Sequence, residues 1–318
     1  MLERCFVRLS RSFSLSILRN PHLLLALTAF IWGGNAVAGK FAVGHVSPMV
    51  LTCFRWAIAL ALVMFFASPH LKRDFTAIKK HWLYLLLMGG VGYTVFNFFL
   101  YSALKFTSPI NVTLEQSAMP MIIFVLTFLI YRVKVRWIQL AGYSLTVIGV
   151  LVVVSSGAPV AFISAGGEGL NRGDILMLGA ALAYGGYSAL LRSKPQLHWL
   201  SFLTCLIAAA LLFSFIGVAF EFQFGDPLLP FTVQGWLVVL FAGIFPSLVS
   251  QGMFIQGVEK LGANTAGLYI NLVPVSGALL SVLLLNETLH FYHAIAFVLV
   301  VGGITIAQRT VRSEPKTS

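Results

Sequence analysis

Residues 105–120 read Lys-Phe-Thr-Ser-Pro-Ile-Asn-Val-Thr-Leu-Glu-Gln-Ser-Ala-Met-Pro and lead into an apolar stretch that runs to Val150. The segment places a carboxylate, Glu115, inside a helix long and apolar enough to cross a bilayer. The segment also recurs. A shift of 154 lays Leu114 on Leu268, Pro120 on Pro274, Leu126 on Leu280, Val147 on Val301 and Gly149 on Gly303 without a gap.

Composition sets the class. The chain is 58% hydrophobic and 10% charged, where a soluble domain carries about 25% charged residues. So much apolar surface needs lipid around it, and the long unbroken apolar runs are helical rather than the period-two alternation of a barrel. About ten spans are predicted, at 22–43, 48–67, 82–103, 107–130, 136–155, 174–193, 199–220, 235–257, 263–285 and 291–309. The net charge of +11 would suit nucleic acid, but its distribution argues otherwise. With the N-terminus inside, 17 of the 21 basic residues fall in cytoplasmic segments, and only Lys40, Arg55, Lys105 and Arg172 lie elsewhere. Glu168, Glu221, Asp226 and Glu287 fall outside. The expected location is a bacterial-type inner membrane, with both termini cytoplasmic and the lipid bilayer, not nucleic acid, as the surrounding partner.

The front of the chain repeats too, at a shift of 152. Trp32-Gly33-Gly34 falls on Tyr184-Gly185-Gly186, Lys40 on Arg192, and Leu51-Thr52-Cys53 on Leu203-Thr204-Cys205. Beyond a two-residue insertion Trp82-Leu83 meets Trp236-Leu237, Gly89 meets Gly243 and Asn97 meets Gln251. Five spans per copy force the second copy to enter from the opposite side, which makes an inverted repeat. The predicted organisation is a basic tail (1–21), a first repeat (22–155), a linker (156–173), a second repeat (174–309) and a short tail (310–318). The competing reading of the N-terminus is a signal peptide cut near Ala36-Val37-Ala38. Cys53 and Cys205 lie near opposite membrane faces and are expected to stay free thiols.

These features resemble the drug/metabolite transporter superfamily, and within it the EamA-type exporters of ten spans. The resemblance rests on Ile31-Trp32-Gly33-Gly34-Asn35, Phe54-Arg55-Trp56, Ala103-Leu104-Lys105-Phe106-Thr107-Ser108 with Asn111 and Pro120, Asn286-Glu287-Thr288-Leu289, and Val301-Gly302-Gly303. It covers about 22–309. It implies an all-α fold of two inverted five-helix repeats, a central cavity, alternating access and export of amino acids or related small metabolites. The chain departs from the pattern at Arg132-Val133-Lys134, where the family often carries an acid, and Glu115 lies outside the pattern.

The candidate substrate-binding residues are Trp32, Asn35, Arg55, Tyr93, Asn97, Asn111, Glu115, Tyr187, Gln251 and Tyr269. A carboxylate near mid-membrane costs about 2.5 kcal/mol or more on insertion scales. Glu115 is therefore expected to face the bundle, as a substrate or proton-linked group or as a partner for Arg55. Asn111, Glu115, Ala118 and Met119 share one helical face, matched by Thr265, Tyr269, Leu272 and Val273 in the second copy. Aromatic residues in the cavity would favour aromatic or cationic cargo; the alternative is a lipid-facing belt. Glu287, His290 and His293 sit at a span junction, where a carboxylate favours the next helix's N-terminus, and are not expected to hold a metal. Gly90-x-Gly92 has no βαβ unit around it, so no cofactor is expected. No nucleophile–base set can be assembled. The expected assembly is a monomer or a weak homodimer. Two rivals stay open within and beyond transport: import of a vitamin such as riboflavin, and a membrane-embedded enzyme or scaffold.

Overall fold

Residues 20–132, 137–164, 170–261 and 269–309 are described by a computed structural model. The basic N-terminal tail, Thr265, Glu168, Lys134, Arg136, Arg312 and Lys316 lie outside the described residues. Among the described residues, ten helices follow one another through the bilayer. They are α1 (Pro21–Ala42), α2 (Pro48–Lys80), α3 (Trp82–Ala103), α4 (Pro109–Tyr131), α5 (Trp137–Val154), α6 (Arg172–Ser193), α7 (Trp199–Phe224), α8 (Val233–Val258), α9 (Leu272–Leu285) and α10 (Phe291–Arg309). The first eight are long and apolar enough to span a membrane by themselves, and α9 and α10 are shorter apolar helices.

Several starts are written locally. Asn20 accepts from the His22 and Leu23 amides ahead of α1, with Pro21 at the first helical position. Ser108 and Pro109 open α4 in the same way, and Thr232 caps α8. The ends of α4 and α9 match across the repeat: Arg132 (φ 53°) and Asn286 (φ 54°) both turn left-handed. One boundary differs from expectation. The sequence pattern stops the second span at residue 67, but α2 continues as 33 residues through Pro69 to Lys80. At 1.5 Å per residue it is about 50 Å long, more than the roughly 30 Å hydrocarbon core. Its basic end therefore projects beyond the lipid as helix.

The two halves are related by a two-fold axis in the membrane plane, which is visible in which helices touch. Adding five to each helix number turns the packing of α1 on α9 and α8 into that of α6 on α4 and α3, and α2 on α8 into α7 on α3. The pairs α2–α7, α4–α9 and α5–α10 map onto themselves. Lys72, Arg73, Lys79 and Lys80 on the last turns of α2, with Arg132, Arg192 and Lys194 at helix ends, mark one face of the bundle, hereafter the basic face. Glu221, Asp226 and Glu287 lie at the opposite face.

Helices α5 and α10 show the symmetry at atomic detail. A Cβ on Gly303 would lie 2.3 Å from the Gly142 carbonyl oxygen, and one on Gly149 would lie 3.0 Å from that of Ala296. The repeat maps Gly142 to Ala296 and Gly149 to Gly303, so each contact is the image of the other. Lipid offers no hydrophobic drive for helices to associate, so this seam depends on close backbone approach at small residues. Gly303→Ala must push two backbones apart, at about 1–3 kcal/mol. A lowered Tm in detergent is expected for it. Gly302→Ala, which meets open space, should melt with the native chain; equal Tm values for both would refute the seam.

Candidate functional site

Four irregular turns meet at the middle of the bundle. Pro120 has no N–H, so the Gln116 carbonyl loses its partner and α4 is interrupted around Ser117–Ala118. Pro274 does the same to α9 at Ile270, with a turn at Asn271. α3 opens into a π-helical turn over Gly90–Val95, and α8 into one over Phe245–Val249. The shift of 154 superposes the two interruptions, and likewise the two π turns. In lipid such backbone is tolerated only where protein or a cavity satisfies it.

A cavity of about 120 Å³ lies at this junction, room for about four waters at a liquid share of about 30 Å³ each. Gln116, Ser117 and Pro120 reach it from α4, Ile270 and Asn271 from the matching turn, Gly92 and Tyr93 from the first π turn and Pro246 from the second. Gly92 is required because a Cβ there would lie 2.4 Å from the Tyr187 ring.

Arg55 stands in the wall and is 3% exposed. Its Nε and Nη2 donate to Ser247 Oγ at 2.9 and 2.7 Å, and Nη1 donates to Asn97 Oδ1 and Tyr101 OH. Pro246 explains the first acceptor. The carbonyl of Ala242 has no amide four residues on, and Ser247 Oγ–H donates to it at 2.7 Å, leaving its lone pairs for Arg55. The Tyr101 hydroxyl in turn donates to Asn35 Oδ1 at 2.9 Å. The guanidinium carbon also lies 4.8 Å from the centre of the Trp56 ring. All of these partners are neutral. No carboxylate among the described residues pairs with Arg55, and one Nη2 hydrogen and the buried Trp56 Nε1–H stay uncommitted.

The wall holds Trp32, Asn35, Arg55, Tyr93, Asn97 and Gln251 of the expected residues. The other four stand elsewhere. Asn111 is in the first turn of α4, bonded to Thr107 and, at 3.2 Å, to His293 Nε2. Tyr187 is one layer behind the wall, edge-on to Tyr93 with ring centres 5.6 Å apart. Tyr269 bonds His22 Nδ1 at 2.6 Å toward the basic face. Glu115 is buried at 6% exposure against Asp174 of α6, not against Arg55. Trp56, Phe96, Thr113, Gln116, Ser117, Tyr184 and Asn271 complete the polar and aromatic wall and are not among those ten residues. Glu287 reaches back to the start of α4, where its carboxylate accepts from the Ile110 amide and from Ser108, and it also accepts from Ser281 of α9. Burial there pushes it above the usual carboxylate range, against the pull of Lys40 and of those donors. Cys53 and Cys205 are free.

Two inverted halves whose broken helices meet at a polar, aromatic cavity define a membrane transporter of the inverted-repeat class. The EamA-like transporter family model matches residues 20–155 and again 171–308, and the chain belongs to that family. Among its relatives is the uncharacterized transporter YetK of Bacillus subtilis, 26% identical over 90% of this chain and 86% of that one. The biotin transporter of Salmonella typhimurium is 22% identical over 84% of this chain and 86% of its own. A crystal structure of a protein 22% identical superposes with a TM-score of 0.60, covering 91% of this chain and 96% of that one, which shows the fold.

The Arg55 network yields a stability test. Ser247→Ala strips two acceptor contacts from a buried guanidinium and reopens the Ala242 carbonyl. Leaving buried groups unsatisfied costs about 1–3 kcal/mol, so a clear drop in Tm is expected, and an unchanged Tm would show that water takes over both roles.

Proposed function

We propose that the chain is a secondary active exporter working by alternating access, and that its cargo is a small amphipathic metabolite carrying a carboxylate, amino acids foremost. The observation behind this reading is Arg55: a buried cation with only neutral partners, one spare N–H, and an indole N–H beside it. Burying an unpaired charge is costly, and an arriving carboxylate offsets that cost with two charge-assisted hydrogen bonds. The apolar part of the cargo then packs on Trp32, Tyr93, Phe96 and Tyr184, which share the same wall. In the same proposal both termini are cytoplasmic in a bacterial-type inner membrane, supported by the basic face carrying most of the lysines and arginines among the described residues.

A second reading, uptake of a carboxylate-bearing vitamin, is favoured by the relatives named biotin transporters. Biotin ends in a carboxylate on an apolar chain, which suits the same wall. Riboflavin has no carboxylate and suits it less.

Ligand-induced thermal stabilisation of the purified chain tests the cargo. Amino acids and biotin are compared with their amides and esters, since a bound ligand raises Tm with the logarithm of its concentration relative to Kd. Only free carboxylates should stabilise, and Arg55→Gln should abolish the shift by weakening binding by about 2–5 kcal/mol. Equal shifts for acids and amides would overturn the anchor. Counterflow and efflux from proteoliposomes of known orientation then decide the direction.

A further inference from the structure

Behind the cavity, Glu115 of α4 and Asp174 of α6 meet face to face. Each carboxyl is the other's acidic neighbour within side-chain contact. Both residues are more than nine-tenths buried, at 6% and 7% exposure, and Glu115 Oε1 and Asp174 Oδ1 accept from no donor among the described residues. A hydrogen bond between two carboxyl groups requires a proton, because two carboxylates offer four acceptor oxygens and no donor. Two like charges in contact within a buried site would also repel strongly.

We propose that Glu115 and Asp174 share one proton across the α4–α6 contact, and that its release toward the face opposite the basic one parts the two helices there. The pair is thus a proton-operated latch on one side of the cavity. Asp174 lies in the first turn of α6, where the helix dipole favours negative charge. Asp174 is therefore the carboxylate and Glu115 the acid that donates to it. On release the O–H bond of Glu115 breaks, its electron pair stays on the oxygen, and the proton passes to water.

Three observations support a latch rather than a buried curiosity. Asp174 is two residues from the open end of α6, so a small separation of the helices wets the pair. Glu115 directly precedes Gln116 and Ser117, which line the cavity in the interrupted turn, so charge at Glu115 bears on the one part of α4 that can hinge. The third is the repeat. The shifts of 154 and 152 carry Glu115 onto Tyr269 and Asp174 onto His22, and those two residues bond each other at 2.6 Å toward the basic face. The bundle thus has a polar latch at the same place on each side of the cavity, and only one is a carboxyl pair. Inward and outward opening would break them in turn.

Other ionisable groups on the surrounding elements have partners of their own. Lys40 of α1 donates to the Leu104 and Thr107 carbonyls, both at 2.9 Å, and His293 of α10 meets Asn111. Glu287 sits on the start of α4, Tyr101 of α3 is bound to Arg55 and Asn35, and Tyr143 of α5 packs against Phe124 with the rings tilted. Lys105 and Arg172 carry the remaining nearby charges, in the α3–α4 turn and at the start of α6.

The inference deepens the transporter reading but does not depend on its cargo, and neither does its test. A single reporter thiol, Ser117→Cys, is placed in the cavity with Cys5, Cys53 and Cys205 replaced by serine. Labelling by an impermeant maleimide from the face opposite the basic one is followed in proteoliposomes without cargo, as pH rises from about 5 to 9. Thiol ionisation speeds labelling in every variant, so the ratio to Glu115→Gln reads the latch alone. In that variant the side-chain amide donates to Asp174 and cannot titrate. The ratio should rise at least about tenfold, which corresponds to about 1.4 kcal/mol. Asp174→Asn, which removes the second charge, should track Glu115→Gln and serves in its place if that variant does not fold. A ratio that stays flat overturns the latch. A rise that depends on sodium rather than pH overturns the shared proton in favour of a bound cation. Absence of transport with the labelling ratio intact would sink the exporter reading and leave the latch standing.

Discussion

A proline in a membrane helix leaves one carbonyl without a donor, and lipid supplies none. That constraint organises the molecule. Pro120, Pro246 and Pro274 each release a carbonyl, and all three lie where the bundle encloses polar groups rather than at the lipid surface. The Ala242 carbonyl recruits Ser247, and Ser247 in turn fixes Arg55. A backbone vacancy is thereby converted into an oriented cation. The interruptions of α4 and α9 do the same for space, since a helix that breaks at Ser117 or Asn271 gives up continuous packing and leaves room between the halves.

The repeat would predict a symmetric cavity, and the differences between the copies are informative. Arg55 corresponds to Ile207, Asn97 to Gln251, and Pro246 to Gly92. The positive charge therefore belongs to one half only, and the cavity is polarised from α2 across to α9. A symmetric scaffold gives two equivalent openings. On the proposed reading, an asymmetric charge would give the cargo a single preferred orientation between them. The Trp56–Tyr93 stack, 4.9 Å between ring centres, stiffens the side that carries the charge.

The fold was legible because lipid imposes it: apolar runs of bilayer length, loops sorted by charge, and a collinear repeat leave few alternatives. Arg55, Asn97 and Gln251 were legible for the same reason, as polar residues with no place in lipid. The cavity face of α4 was legible only in part. Taking Glu115 as the lining residue selects the face of Asn111, Ala118 and Met119, of which Met119 reaches the wall, while successive residues on a helix differ by about 100°. The break at Ser117–Ala118 then rephases the helix, so that Gln116, Ser117 and Pro120 come to share the wall. Trp56 was hidden beside Arg55, since an aromatic in an apolar span carries no signal of its own. The end of α2 falls later than the sequence pattern places it because charge marks the lipid boundary, and helix does not stop where lipid does.

Asp174 shows a signal that was present and unused. The same shift that pairs Trp32 with Tyr184 pairs His22 with Asp174, and the one that pairs Pro120 with Pro274 pairs Glu115 with Tyr269. In an inverted repeat, a contact between α4 and α6 must have an image between α9 and α1. Two polar residues in one copy therefore point to two in the other, whatever their chemistry, and a lone intramembrane acid finds its partner through its image. The partner is a second acid rather than Arg55, so on the proposed reading the charge of Arg55 serves the cavity and a shared proton serves the helix contact. Those two proposed functions lie on opposite sides of one interrupted turn, and that turn is how each would sense the other.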